Sequence, residues 1–201
     1  YSSAASDVYK RQKFYIMNTK TMLLLALLLF CNFIAAQEIY SIKSGSISFF
    51  AGTPLEDIDA ISTKVVSFFN IKTGEVALNT FNRNFKFKRD LMQEHFNENY
   101  MESEKYPKSE FKGKILNIEA FDFSKNGEYK VQIEGNLLIH GVSKPRKIDA
   151  VITNNGLGIK VESKFVILLA DHKIERPQIV WEKLAENVQT SLLLTYEPYK
   201  K

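Results

Sequence analysis

The stretch that decides the fold is YKVQIEGNLLI, residues 129–139. Apolar side chains at Val131, Ile133 and Leu137 alternate with polar ones such as Lys130. A two-residue period places one set of side chains on each face of a β-strand. This stretch therefore predicts a long strand that has one face in an apolar interior and one face in water.

The alternation recurs along the chain. LGIKVESKFVILL, at residues 157–169, repeats it, and weaker versions occur at 46–51, 60–70, 75–87, 111–121, 146–153 and 188–196. Turns such as Asn154-Asn155-Gly156 separate several of these segments, with glycine where a positive φ is needed. About eight short strands joined by tight turns predict a mainly β fold, an antiparallel sheet that closes on itself or packs in two layers.

Two segments have helical spacing instead. In RDLMQEHFNE, residues 89–98, the apolar side chains Leu91, Met92 and Phe96 fall on one side. In PQIVWEKLAEN, residues 177–187, a proline stands at a plausible first helical position. The sequence thus predicts one or two short helices, and the first could cap or gate one end of the sheet structure.

The beginning of the chain has the composition of a secretory signal peptide. Residues 17–36 contain a lysine, the apolar run MLLLALLLF and a terminal Ala-Ala pair, so we expect cleavage near Ala36 and a periplasmic or secreted protein. The run is too short to span a bilayer, which needs about 20 apolar residues. Cys31 raises a lipoprotein alternative, which the large Phe30 before it disfavours.

The expected domain organisation follows from this leader. Residues 1–16 precede the first methionine without helical or strand periodicity, so we interpret them as a non-native extension. The remainder contains no repeat and no low-complexity linker, which predicts a single domain over residues 38–199.

The positive charge of the chain is concentrated in this leader. The whole sequence has 27 basic and 23 acidic residues, and its first 36 residues hold four of the basic ones and one acidic one. The mature chain is therefore close to neutral, and its lysines and glutamates are interspersed. That distribution is typical of a solvated surface and excludes a nucleic-acid-binding stripe.

The histidines and Asp171 are the candidate catalytic residues. His95, His140 and His172 show no metal-binding spacing, and the one cysteine belongs to the leader. A hydrolase that uses Asp171 and His172 stays open as an alternative. Hydrogen bonding in turns explains the same residues without catalysis, so we expect no enzyme activity, no catalytic residues and no metal.

Phenylalanine is abundant in the mature chain, which holds 12 of the 15 in the sequence. A barrel of about eight strands either fills its interior with side chains or holds one apolar ligand. The composition alone is compatible with both.

Four stretches resemble the YceI-like, polyisoprenoid-binding family. They are FKFKRDLMQEHFNENYMESEKYP at 85–107, FKG at 111–113, GNLLIHGVSKP at 135–145 and FVILLADHKI at 165–174. The resemblance keeps order and spacing over most of residues 40–198. It departs from the family at the first strand, which lacks a tryptophan that often begins it.

The resemblance implies a single lipocalin-like antiparallel β-barrel that is exported and holds an isoprenoid chain, polyprenyl or isoprenoid-quinone-like, for storage or transport. The lipid would be the ligand, with no other cofactor, no nucleic acid and a possible transient contact with a membrane. The positions we predict to face the lumen are Phe49, Val131, Ile133, Leu137, Ile159, Val161, Phe165 and Leu194. The alternative is an exported interaction domain in which the same side chains form a packed core.

Overall fold

The structure is a computed structural model, and it describes residues 39–122, 125–175 and 184–199. These ranges contain ten β-strands, one α-helix and several short turns of helix, which confirms the mainly β prediction. The helix predicted at 177–187 falls mostly on residues 177–183, outside the described residues, while Asn187 begins a strand. No helix within the described ranges has the length and apolar character needed to cross a membrane.

The ten strands range in length from two to 13 residues. Their bounds are β1 Ile39–Phe50, β2 Asp59–Ser62, β3 Val65–Asn70, β4 Glu75–Phe81, β5 Lys86–Phe87, β6 Lys108–Ile115, β7 Gly127–Ile139, β8 Val142–Asn154, β9 Ile159–Leu168 and β10 Asn187–Pro198. Helix α1, Asp90–His95, continues into a wider turn at Phe96–Tyr100. This helical segment confirms the one predicted at 89–98.

Pairing of the first strand with the last closes the barrel. The strand order is β10-β9-β8-β7-β6-β4-β3-β1, all antiparallel, and β1 also pairs with β10, so eight strands form the ring. Strand β2 pairs with the second half of β1 and β5 pairs with β2, so these two short strands extend the sheet beside the ring. The antiparallel barrel predicted from the sequence is confirmed.

Several predicted strands have different limits in the structure. The segment 60–70 is two strands separated at Thr63 and Lys64, and 75–87 is interrupted by a helical turn at Asn82–Asn84. Strand β1 begins at Ile39, earlier than predicted, and its register with β10 shifts between Ile42 and Ser44. This β-bulge breaks the two-residue period that the sequence pattern depends on.

The turn between β7 and β8 lies at the same end of the barrel as α1. Its two residues, His140 and Gly141, both have positive φ, 50° and 72°, as a two-residue hairpin turn of type I′ requires. His140 also contacts Tyr106, which follows the helical segment in sequence, with ring centroids 4.6 Å apart. The opposite end carries the first residues of β1 and the last of β10.

Candidate functional site

The barrel encloses a cavity of about 490 Å³. Inward-facing side chains of the ring strands form its wall, and they are mostly aliphatic or aromatic. Phe69, Ile115, Ile152 and Tyr196 line its deep part and are almost fully buried. The volume falls in the range of about 300–1,000 Å³ that is typical of small-molecule sites. The interior is therefore not completely filled by side chains, as the packed-core alternative would require.

Six of the eight positions predicted to face the lumen line this cavity. They are Phe49, Ile133, Leu137, Val161, Phe165 and Leu194. Val131 and Ile159 are also buried but lie outside the lining, in the core at the end of the barrel remote from α1. Ile159 is paired with Tyr196 in the β9–β10 ladder, which places it beside Tyr196 at the deep end of the cavity.

An aromatic cluster covers the end of the cavity beside α1. The ring of Phe96 lies 5.6 Å from that of Phe49, 5.7 Å from Phe85 and 5.0 Å from Phe87, measured between centroids. Leu91, on the same helical segment, lines the cavity while remaining 60% exposed. The cavity thus reaches the surface at this end, with Phe96 as its cover.

Charged side chains surround this opening. Arg89, at the start of α1, forms an ion pair with Glu56 in the loop after β1, and both residues border the cavity. Beside them, Lys88 Nζ lies 2.8 Å from Asp59 Oδ1. The site therefore has a polar rim and an apolar interior, an arrangement suited to a molecule with a long apolar part.

Most hydroxyl groups in the cavity wall are already hydrogen-bonded within the protein. Tyr196 Oη donates to Ser67 Oγ at 2.6 Å, and Ser67 Oγ donates to the carbonyl oxygen of Ala77 at 2.8 Å. Burial raises the pKa of Tyr196 to about 12, so its hydroxyl stays protonated at neutral pH. Ser163 likewise donates to the carbonyl oxygen of Asp149 at 2.6 Å. The wall therefore offers a ligand few hydroxyl groups that still need a hydrogen-bond partner.

Residues 34–196 match the family model of the YceI-like domain. The chain belongs to the YceI-like domain family. The resemblance seen in the sequence is thereby confirmed, over more than three quarters of the chain.

Solved structures share the fold of this YceI-like protein at low sequence identity. A polyisoprenoid binding domain from Saccharophagus degradans, implicated in plant cell wall breakdown, is 14% identical with a TM-score of 0.70, covering 80% of this chain and 98% of that domain. BcnA of Burkholderia cenocepacia is 14% identical with a TM-score of 0.63, covering 75% and 95%. The YCEI protein of Campylobacter jejuni is 18% identical with a TM-score of 0.52, covering 69% and 81%. A search of curated proteins found no match.

Two of the three histidines meet at the α1 end of this YceI-like barrel, but outside the cavity wall. His140 Nε2 lies 2.9 Å from Glu102 Oε2, and its Nδ1 lies 3.1 Å from the carbonyl oxygen of His172. His172 Nδ1 donates to the carbonyl oxygen of Val142 at 3.1 Å, and burial lowers the pKa of this histidine. These contacts hold the β7–β8 turn against the helical turn at Leu169–His172.

The remaining candidates for catalysis are also separated. His95 lines the cavity at its rim, while Asp171 lies 3.7 Å from the Arg146 guanidinium and does not reach the cavity. Within the described residues, no group of three His, Cys, Asp or Glu side chains is arranged to hold a metal ion. His140, His172 and Asp171 therefore do not converge with His95 on the cavity, as an acid–base site built from these candidates would require.

The structure adds lining residues that were not predicted. Phe85, Phe87 and Tyr196 are among them, and so is Thr190 in β10. The sequence held a signal for the last of these, because Thr190 interrupts the apolar inward positions Val188, Leu192 and Leu194.

Proposed function

We propose that this YceI-like protein binds one apolar lipid chain of isoprenoid type inside the barrel, for storage or transport. The observation that carries the proposal is the cavity of about 490 Å³, which runs from the rim at α1 to Tyr196. Each Å² of apolar surface moved from water into such a site contributes about 25 cal/mol, so a long hydrocarbon chain gains affinity along its whole length. No reacting group is needed for this role.

Similarity to known proteins supports an isoprenoid as the lipid. The protein belongs to the YceI-like domain family, and the Saccharophagus degradans structure that shares its fold is described as a polyisoprenoid binding domain. A branched, flexible isoprenoid suits a wall made of phenylalanine and branched aliphatic side chains, because such side chains pack closely against methyl groups.

Extraction of the purified protein tests the proposal. The protein is purified without detergent, extracted with organic solvent, and the extract is examined by mass spectrometry. We expect about one apolar lipid per protein molecule. An extract without lipid, together with failure of the purified protein to bind added farnesol, would contradict the proposal.

A pair of variants shows whether the lipid occupies the cavity. Ala150 faces the cavity and Val151, the next residue in β8, faces outward. Ala150→Phe should fill the lumen and abolish copurified lipid, whereas Val151→Phe should keep it. Equal lipid content in the two variants would place the lipid on the outer surface instead.

We also propose that the protein is exported with cleavage after Ala36. The support is the signal-like composition of residues 17–36, most of which precede the family match that begins at residue 34. Expression from Met17 in a Gram-negative host, cell fractionation and intact mass measurement of the product test it. A product that keeps residues 17–36 in the cytoplasmic fraction would contradict export.

A further inference from the structure

Thr190 is the polar exception on the inner face of β10. The inward positions of this strand are Val188, Thr190, Leu192, Leu194 and Tyr196, and all five line the cavity. Thr190 is only 5% exposed. Its Oγ1 is the one buried side-chain oxygen or nitrogen in the described part of the chain that lacks a hydrogen-bond partner.

The unpartnered hydroxyl destabilises the empty protein. Burial removes the hydrogen bonds that water would make to it, and no protein group replaces them. Other wall hydroxyls avoid this cost, since Thr80 and Ser163 each donate to a backbone carbonyl and Tyr196 donates to Ser67 Oγ. Valine has nearly the same shape as threonine and would fill the position without that penalty. The hydroxyl is therefore unexplained by folding alone.

The position of Thr190 suits the outer end of a lipid. In the two neighbouring ladders it is paired with Phe49 of β1 and Phe165 of β9, both of which line the cavity. Phe49 belongs to the aromatic cluster beneath Phe96, so Thr190 lies near the opening. Tyr196 is six residues further along β10, or roughly 20 Å of extended strand at about 3.3 Å per residue.

Rotation about χ1 of Thr190 exchanges its methyl group and its hydroxyl between staggered positions. In the empty cavity the hydroxyl is enclosed without a partner, and a ligand atom that can hydrogen-bond would stabilise the rotamer that faces the lumen. A threonine hydroxyl can donate to a carbonyl oxygen or accept from a hydroxyl group.

We infer that Thr190 is a hydrogen-bonding subsite for an oxygen atom of the bound lipid. The inference rests on the proposed function and deepens it: the ligand is an oxygenated isoprenoid, with a carbonyl or hydroxyl group near one end. That group lies between Phe49 and Phe165, and the hydrocarbon chain extends towards Tyr196.

The test compares two probes of the same carbon skeleton, farnesol with its hydroxyl and β-farnesene without it. Delipidated wild-type protein, Thr190→Val and Thr190→Ser are titrated with each probe by equilibrium dialysis. Thr190→Val should weaken farnesol binding by about 3- to 10-fold, the usual effect of one lost neutral hydrogen bond, and leave β-farnesene binding unchanged. Thr190→Ser keeps the hydroxyl and should retain most of the farnesol affinity.

Thermal unfolding of the empty proteins supplies an independent measurement. Without ligand, Thr190→Val should melt at a higher temperature than wild type, because the variant removes an unsatisfied buried hydroxyl. Added farnesol should raise the melting temperature of wild type by more than it raises that of Thr190→Val. Should the valine variant fail to fold, Thr190→Ala replaces it in the dialysis comparison.

Each outcome decides between the inference and its alternatives. Equal effects of Thr190→Val on the two probes, or no effect on farnesol, would overturn the subsite and indicate that a water molecule satisfies the hydroxyl instead. Wild-type protein that binds neither probe and yields no lipid on extraction would overturn the proposed function, and the subsite with it.

Discussion

At the scale of single residues, Ser67 and Tyr196 share a buried hydrogen bond, but removing one hydroxyl should cost more stability than removing the other. Ser67→Ala leaves the Tyr196 hydroxyl buried with no partner and should lower the free energy of unfolding by about 1–3 kcal/mol. Tyr196→Phe leaves Ser67 still donating to Ala77 and should cost about 1 kcal/mol. Urea unfolding of both variants measures the difference, and a larger cost for Tyr196→Phe would contradict this account.

Tyr196 also gives the protein a defined sensitivity to alkali. Its pKa in the fold is about 12, against about 10 in the unfolded chain, so folding favours the protonated phenol. The associated stability is fully present below pH 10 and is lost as the pH rises from 10 to 12, to a total of about 3 kcal/mol. Urea midpoints at pH 9 and pH 11 should fall less in Tyr196→Phe than in wild type. Parallel falls would show that other groups govern the alkaline loss.

At the scale of elements, the β7–β8 turn combines a backbone requirement with a packing requirement. Gly141 has φ 72°, and a Cβ there would lie 2.5 Å from Cε1 of Tyr106. Gly156, in the β8–β9 turn, has φ 78°, but its nearest neighbour would be the Asn126 side chain at 3.2 Å. Both alanine variants should lose about 1–2 kcal/mol from the positive φ.

The additional clash makes Gly141→Ala the worse of the two. Displacing Tyr106 also disturbs its contact with His140, so this variant should be less stable than Gly156→Ala by a further 1 kcal/mol or so, as seen in urea unfolding. Equal losses would mean that the Tyr106 ring moves aside without cost.

Helix α1 and the turn that follows it contribute to the barrel mainly through Phe96. Phe96→Ala removes contacts with three other phenylalanine rings and should cost about 2–3 kcal/mol. Leu91→Ala, on the exposed side of the same segment, should change stability by less than about 0.5 kcal/mol. Phe96→Ala should also release bound farnesol faster, measured by stopped-flow dilution. An unchanged release rate would show that Phe96 does not cover the exit.

At the scale of the whole molecule, the sequence predicted the barrel because its long strands are half-buried. The segment 129–139 keeps its two-residue period almost without interruption, and β7 extends from Gly127 to Ile139. The bulge after Ile42 and the break at Thr63 were not predictable, because both are set by pairing with distant strands. Pairing with β10 and with β3 cannot be inferred from local alternation.

The cavity was harder to predict than the fold for a related reason. Val161, in the cavity wall, and Ile159, in the packed end, both face inward on β9 and have similar side chains. Whether an inward side chain meets another side chain or empty space depends on the summed volumes across the barrel. Alternation reports the face of a strand and carries no information on that sum.

The packed end of the barrel at Tyr196 limits the length of lipid chain that fits inside. The opening is at the α1 end, so a chain that meets the deep wall must project its remainder past Phe96 into water. Ile159→Ala would open space beside Tyr196 at the deep end, at a cost of about 2–4 kcal/mol of stability, whereas Val161→Ala would only widen the cavity nearer the opening. In competition between isoprenoid alcohols of 15 and 20 carbons, we expect Ile159→Ala alone to shift the preference towards the longer one. If the two variants show the same preference, the length limit lies at the opening of the cavity and not at its deep end.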